Sequence, residues 1–351
     1  MTSAVLTTTP PQPSAKPDEL QSLGEFARSS GLQSLVIGIS KDPNAKITVL
    51  LVSPVSGRAV LAVKVPTTGA AARAVEAEEG ALLAIRQVAP RNVVDVIPRV
   101  VDAVEFEGRR AIVVTAMPGI PMASSYIRRR HTATQELVAA DFNAIETWLS
   151  ELQSGTAGRS GRVDMERGVA ARLRERFPDD VRLDADLDLL AEINDRLGRN
   201  ETPRTAVHGD MWFGNVLLAG TQITGVVDWE ACATSGEPMR DLVRFALMYA
   251  LFLDRRTRPG RGVAGHPGLR ADSWGAGVEF ALAGVGWFPD LFRQFLERGL
   301  ARLGAPAASW RDAAVAGIAE VAALTDDHDF ARGHLELFRR VGRAGHAGAA
   351  A

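Results

Sequence analysis

With one cysteine in 351 residues, Cys232, the chain has no intrachain disulfide. A lone thiol suits a reducing compartment, so the cytoplasm is the expected location. Long apolar runs are missing too. The longest, FALMYALFL at 245–253, is far shorter than the roughly 20 residues a bilayer-spanning helix needs, and no membrane partner is expected. No excess of one charge exists either: 40 Lys and Arg against 42 Asp and Glu leave −2. Without a global positive field, nucleic acid is not an expected partner. The first residues, MTSAVLTTTPPQPSAKPDEL, lack both the basic start and the continuous apolar stretch of a secretory signal. They read as a disordered Thr/Pro-rich tail over residues 1–20. What remains is ordinary globular material, 46% hydrophobic and 23% charged, long enough for two packed cores.

The two halves differ in period. Between Leu35 and Val65, three runs rich in β-branched residues, SLVIGIS, KITVLLVSPV and RAVLAVKV, are separated by KDPNA and SG, which have turn chemistry. They predict a three-stranded antiparallel meander. An alanine-rich helix follows, GAAARAVEAEEGALLAIRQVA, closed by Pro90, and then two strand-like runs, IPRVVDAVEF and RRAIVVTAM. After MPGIP the pattern turns helical, at about 132–155, 164–176, 184–199, 238–254, 271–284, 290–303, 308–324 and 329–343. The expected organisation is α+β with two lobes. A β-sheet lobe with one helix spans 21–117, a larger, mainly helical lobe spans 118–345, and 346–351 is a flexible end.

Inside the helical half lies AVHGDMWFGNVLL, residues 206–218, with the aspartate of VVDWE ten residues further on. The runs NVLL and ITGVVDWE, joined by AGTQ, predict a hairpin that brings Asn215 and Asp228 together. An amide oxygen and a carboxylate are hard ligands suited to Mg²⁺ bound to phosphate oxygens. Asp210, on the loop before Asn215, is placed to accept a proton from a substrate hydroxyl. Asp and Asn also cap turns, which is the plainer reading of any one of these residues. Five fixed types in the spacing H-G-D-x4-N-x12-D would arise by chance in well under about one in a thousand chains of this length.

His208, Gly209, Asp210, Asn215, Asp228, Trp229 and Glu230 together resemble the hallmark of the aminoglycoside phosphotransferase and choline kinase-like family, small-molecule relatives of the protein kinases. The resemblance implies a protein kinase-like fold. In it Asp210 is the catalytic aspartate, Asn215 and Asp228 hold magnesium, and His208 braces the loop. It also implies a nucleotide-phosphate lysine on the third strand, here Lys64, and a glutamate partner on the next helix. On a helical wheel Glu79 lies nearest the stripe of Val75, Leu82 and Leu83, with Glu78 in reserve and Glu76 furthest away. Backbone groups of Thr115, Ala116 and Met117 correspond to the hinge that binds adenine. Asp241, early in the helix after SGEP, corresponds to an aspartate tied to the catalytic loop, and it also suits a helix N-terminus. The chain departs from the protein kinases in lacking G-x-G-x-x-G: GISKDPNAK has only Gly38, which favours the small-molecule branch. The resemblance runs from about Leu35 to Leu253.

The implied reaction is ATP-dependent, Mg²⁺-assisted phosphorylation of a hydroxyl on a small-molecule acceptor, with GTP an open alternative to ATP. A catalytically silent nucleotide-binding regulator and a kinase acting on a protein are the rival readings. Features bearing on the acceptor conflict. Asp326, Asp327 and Asp329 suit the ammonium groups of an amino sugar or amino alcohol, the leading expectation, with Asp327 and Asp329 as its contacts; they equally suit a helix cap. The stretch 254–270, DRRTRPGRGVAGHPGLR, with five arginines, points to an anionic or neutral acceptor but reads first as a mobile surface loop. SYIRRRH reads as a solvated helix end, and Trp274 and Trp287 as core residues.

Overall fold

The structure, a computed structural model, describes residues 20–39 and 45–347. Nearly all of the expected tail, most of the KDPNA turn and the last four residues lie outside the described residues. The chain divides into two units. One runs up to Val75 and takes in Arg99–Ala116; the other comprises Glu76–Pro98 and everything from Met117 onward.

In the N-terminal unit, α1 (Leu23–Ser29) precedes β1 (Gln33–Ile39), β2 (Lys46–Val52), β3 (Ala59–Pro66), the start of α2 (Gly69–Val88), β4 (Val100–Phe106) and β5 (Arg109–Thr115). The strands form one antiparallel sheet in the order β1-β2-β3-β5-β4. Every second residue packs inward: Val49 and Leu51, then Leu61, Val63 and Val65, then Ala111 and Val113, against Phe26 and Ala27 of α1. Full burial of each such Val, Leu or Phe is worth roughly 1.5–3 kcal/mol. The alternation turns Lys64 to the opposite face, where it pairs in register with Thr48 and Ile112 and is 6% exposed. Helix α1 was not expected, although Ser22 and Glu25 form a capping box that marks its start: Glu25 N–H donates to Ser22 Oγ at 3.3 Å, and Ser22 N–H to Glu25 Oε2 at 3.1 Å.

In the C-terminal unit, the rest of α2 and α3 (Arg91–Val94) are followed by β6 (Ile120–Pro121), α4 (Met122–Tyr126), α5 (Gln135–Gly155), β7 (Ser160–Arg162), α6 (Val169–Arg176) and α7 (Leu183–Leu197). Then come β8 (Glu201–Pro203), β9 (Thr205–Val207), β10 (Val216–Ala219), β11 (Gln222–Val226) and β12 (Ala233–Gly236). The remainder is helical: α8 (Met239–Leu251), α9 (Ala276–Ala283), α10 (Trp287–Arg302), α11 (Trp310–Leu324) and α12 (His328–Ala347). All eight expected helical stretches carry a helix. Two start late, at Val169 and Ala276, each directly after a glycine in the left-handed region, Gly168 at φ 75° and Gly275 at φ 85°. Helix α12 reaches Ala347, into the segment expected to be a flexible end. Helix α11, buried from Ala313 to Ala323, packs on α6, α7, α8 and α12. Trp274 and Trp287 are not core residues: Trp274 is 41% exposed, and Trp287 is half-buried and donates from its indole to Gly265 O at 2.9 Å. No helix among the described residues is long and apolar enough to cross a membrane.

Candidate active site

Two short pairings carry the polar residues of 208–230. Strand β9 pairs antiparallel with β12, Val207 opposite Ala233, and delivers His208, Gly209 and Asp210 at its end. Strands β10 and β11 form the expected hairpin, Val216 opposite Val226, and Val227 N–H donates to Asn215 O at 2.9 Å. Asn215 and Asp228 therefore flank the open end of one hairpin. Gly209 has φ 83°, and a Cβ there would lie 2.2 Å from Ala231 O, so the loop needs glycine at this position.

The loop is braced from behind. Asp241, in the first turn of α8, accepts from His208 N–H at 2.6 Å and Gly209 N–H at 2.8 Å. Burial raises its carboxyl above the usual range, and the nearby His208 ring, those two amides and Arg244 pull the other way. His208 is buried and spans the site. Its Nδ1 accepts from Asp210 N–H at 3.2 Å, and its Nε2 donates to Val227 O at 2.9 Å. The ring packs on Trp229, centroids 4.7 Å apart, and the Trp229 indole donates to Val226 O at 2.8 Å. Both ring nitrogens are thus committed to backbone groups of the same stretch.

Asp210 is gripped by side chains on both oxygens. Asn215 Nδ2 donates to its Oδ2 at 3.1 Å and to its backbone O at 2.9 Å, and Arg244 of α8 pairs with Oδ1. Arg244 escaped sequence reasoning; its signal is the spacing of three from Asp241, which puts both on one face of α8. Near Asp228, the carboxylate oxygens of Glu78, Asp228 and Glu230 lie within 4.8 Å of one another. Asp228 has φ 63°, a left-handed conformation that non-glycine residues seldom adopt and that recurs at functional sites. Three clustered carboxylates make a hard oxygen donor set that suits a divalent cation such as Mg²⁺.

The other expected residues distribute as follows. Of the glutamates on α2, Glu78 is the buried one, 1% exposed, while Glu79 is half-buried and Glu76 exposed. The inward stripe is Ala71, Val75, Glu78, Leu82 and Ile85, and Leu83, used to choose Glu79, is 54% exposed. At the expected hinge, Thr115 N–H donates to Arg99 O at 2.9 Å and Ala116 N–H to Val60 O at 3.0 Å. Those two amides are spent on backbone carbonyls; Met117 N–H makes no backbone bond of this kind among the described residues. Asp327 caps α12, its Oδ1 accepting from Phe330 N–H at 2.9 Å, and Asp329 is exposed in the same first turn. Cys232 is chemically quiet, its thiol pushed up to about 12 by burial and by Asp241.

Comparison with known proteins turns on this same stretch. The phosphotransferase enzyme family matches residues 47–276, which contain Lys64, Asp210, Asn215, Asp228 and Asp241. The chain belongs to that family. Among solved structures, a thermostable mutant of aminoglycoside phosphotransferase APH(4)-Ia in ternary complex with ADP and hygromycin B has a TM-score of 0.54 and 13% identity, covering 93% of this chain and 99% of that one. The apo form of a thermostable mutant of the same enzyme gives 0.51 and 14%, covering 90% and 94%. No curated protein matches the sequence. At such identities the likeness is one of fold, and the expected kinase-like α+β architecture is the architecture present. Asp327 and Asp329 fall beyond the matched residues of this phosphotransferase.

Proposed function

We propose that this phosphotransferase moves the γ-phosphoryl group of ATP to a hydroxyl of a small-molecule acceptor. The observation that carries the reading is the grip on Asp210: both carboxylate oxygens are held, one by Asn215 and one by Arg244, on a loop anchored by Asp241. A carboxylate so fixed would orient an acceptor hydroxyl and take its proton as oxygen attacks phosphorus and ADP leaves. Lys64 would neutralise nucleotide phosphate, and Met117 N–H would meet the adenine. Asp228, with Asn215 Oδ1 and the neighbouring Glu78 and Glu230, is the donor set for magnesium, which when bound shields the phosphate charge. The relatives' complex with ADP favours an adenine nucleotide over GTP.

The test is ADP release measured across a panel of amino sugars, amino alcohols, sugars and natural-product alcohols, with Asp228→Ala run beside the wild type. Wild-type protein should release ADP only with an accepted alcohol. MgATP at a hundred times its Kd should stabilise the fold by about 2.7 kcal/mol, and Asp228→Ala should lose that stabilisation. Equal stabilisation of both proteins would return Asp228 to a turn-forming role.

A further inference from the structure

Two segments without an assigned role in the sequence, SYIRRRH and the loop 254–270, meet in one cavity of about 970 Å³ within the C-terminal unit. Arg128, Arg129 and Arg130 come from the first segment and Arg255 and Arg256 from the second, and no Asp or Glu is among the lining residues. None of the five arginines makes an ion pair with a described residue. The same cavity carries an aromatic wall of Tyr126, Trp212, Phe213 and Phe252, with the Arg255 guanidinium over the Phe252 ring at 4.9 Å. Tyr126 and Phe213 stack with centroids 4.3 Å apart and planes 4° from parallel.

The wall belongs to the catalytic loop, since Trp212 and Phe213 lie between Asp210 and Asn215. Phe252 ends the helix whose Arg244, two turns earlier, grips Asp210. The cavity is also firmly backed. His131, directly after the three arginines, is buried against Asp141 at 2.7 Å, and Asp141 also accepts from Tyr249 OH at 2.7 Å. The 254–270 loop is docked where a mobile loop was expected: buried His266 faces Thr132 O at 2.7 Å, Arg256 donates to Ile127 O, and a Cβ on Gly265 would lie 2.5 Å from Ala133 Cα. Arg130 holds a left-handed backbone, φ 67°.

Five like charges around one cavity repel, and no Asp or Glu lines it; the charges of Asp254 and Asp141 reach Tyr126, but neither acid pairs with any of the five arginines. We propose that this cavity is the acceptor site and that its acceptor carries an anionic group, a carboxylate, on a flat apolar body: the guanidinium groups take the anion and the aromatic wall takes the body. The inference rests on the phosphotransferase reading and is the alternative to the cationic acceptor expected from Asp327 and Asp329.

The experiment presents hydroxylated aromatic scaffolds in matched sets, each as its carboxylate, primary amide and primary amine, and measures binding by calorimetry without nucleotide, then ADP release with MgATP. The carboxylate member of at least one set should bind at least tenfold more tightly than its amide, about 1.4 kcal/mol, with the amine weakest. In the double variant Arg129→Gln, Arg130→Gln that preference should shrink to threefold or less at an unchanged melting temperature. If the variant unfolds, the salt dependence of wild-type binding serves instead: affinity for the carboxylate should fall with ionic strength and that for the amide should not. Carboxylates binding no better than their amides, or amines binding best, would overturn the proposal even if ADP release occurs. Carboxylate binding without ADP release from any scaffold would overturn the phosphotransferase reading and, with it, the assignment of the cavity as an acceptor site.

Discussion

Asp210 is held by two side chains of different kinds, and the difference sets what each should do when removed. Asp210 is assigned to the acceptor hydroxyl and not to the nucleotide, so Asp210→Ala should lower turnover by roughly 10²–10⁴ while MgATP affinity stays within a few fold. Steady-state kinetics and calorimetry read the two effects separately; turnover near wild type would reject the assignment. Arg244 adds charge to orientation, because it faces Asp210 and also offsets the buried carboxyls of Asp241 and Glu320. Burial raises both of those acids, so the stability they contribute is fully present below their unfolded pKa values and is lost as pH rises through the raised folded ones. Arg244→Met removes an opposing cation and raises them further. Its loss of stability should therefore be greater at pH 7 than at pH 5, alongside a drop in turnover. An equal loss at both pH values would mean that only packing had been removed.

At the scale of elements, α2 shows how a small error in a helical stripe changes a residue assignment. Positions 71, 75, 78, 82 and 85 face inward, and a carboxylate in that row is in reach of Asp228 and Glu230. Glu78→Gln should thus weaken Mg²⁺-dependent nucleotide binding by roughly tenfold or more, about 1.4 kcal/mol, while Glu79→Gln should leave it within about twofold. The reverse order, measured by titrating MgATP, would restore Glu79. The elements themselves were legible because period 2 and period 3.6 separate cleanly in this chain: the meander, α2 and all eight later helical stretches stand where the apolar spacing puts them. So was the clustering of His208, Asp210, Asn215 and Asp228, which lie within one local stretch. Contacts between distant segments were not legible. Arg244 meets Asp210 across 34 residues, the amides of Thr115 and Ala116 are consumed by carbonyls 16 and 56 residues away, and the arginines of 128–130 meet those of 255–256 only through the fold. Helix α1 was missed for another reason: at 7 residues it is too short to show a period, and only its capping box announces it.

For the whole molecule, the buried histidines decide how the fold meets acid. His334 sits on α12 with its ring 4.4 Å from Phe330 and 4.8 Å from Trp274, its Nδ1 at 2.9 Å from Phe330 O, and burial takes its pKa down to about 4. Burial lowers His266 in the same sense. An unfolded chain binds a proton at each site near the ordinary histidine value of about 6.5, whereas folded His334 resists until about 4. The contribution of His334 is therefore complete above pH 6.5 and is lost as pH falls toward 4, a change on the order of a few kcal/mol. Asp241 and Glu320 act in the opposite direction, since their raised carboxyls favour the folded chain as pH falls. The net slope thus reports a competition, and a single substitution separates its parts. His334→Phe keeps an aromatic ring between Trp274 and Phe330 but binds no proton in either state. It should cost some stability at pH 7 through the lost bond to Phe330 O, yet its denaturation midpoint should fall less steeply than wild type between pH 6.5 and 4. Parallel slopes for the two proteins over that interval would show that His334 takes up its proton while the fold is intact, and would place the acid sensitivity elsewhere.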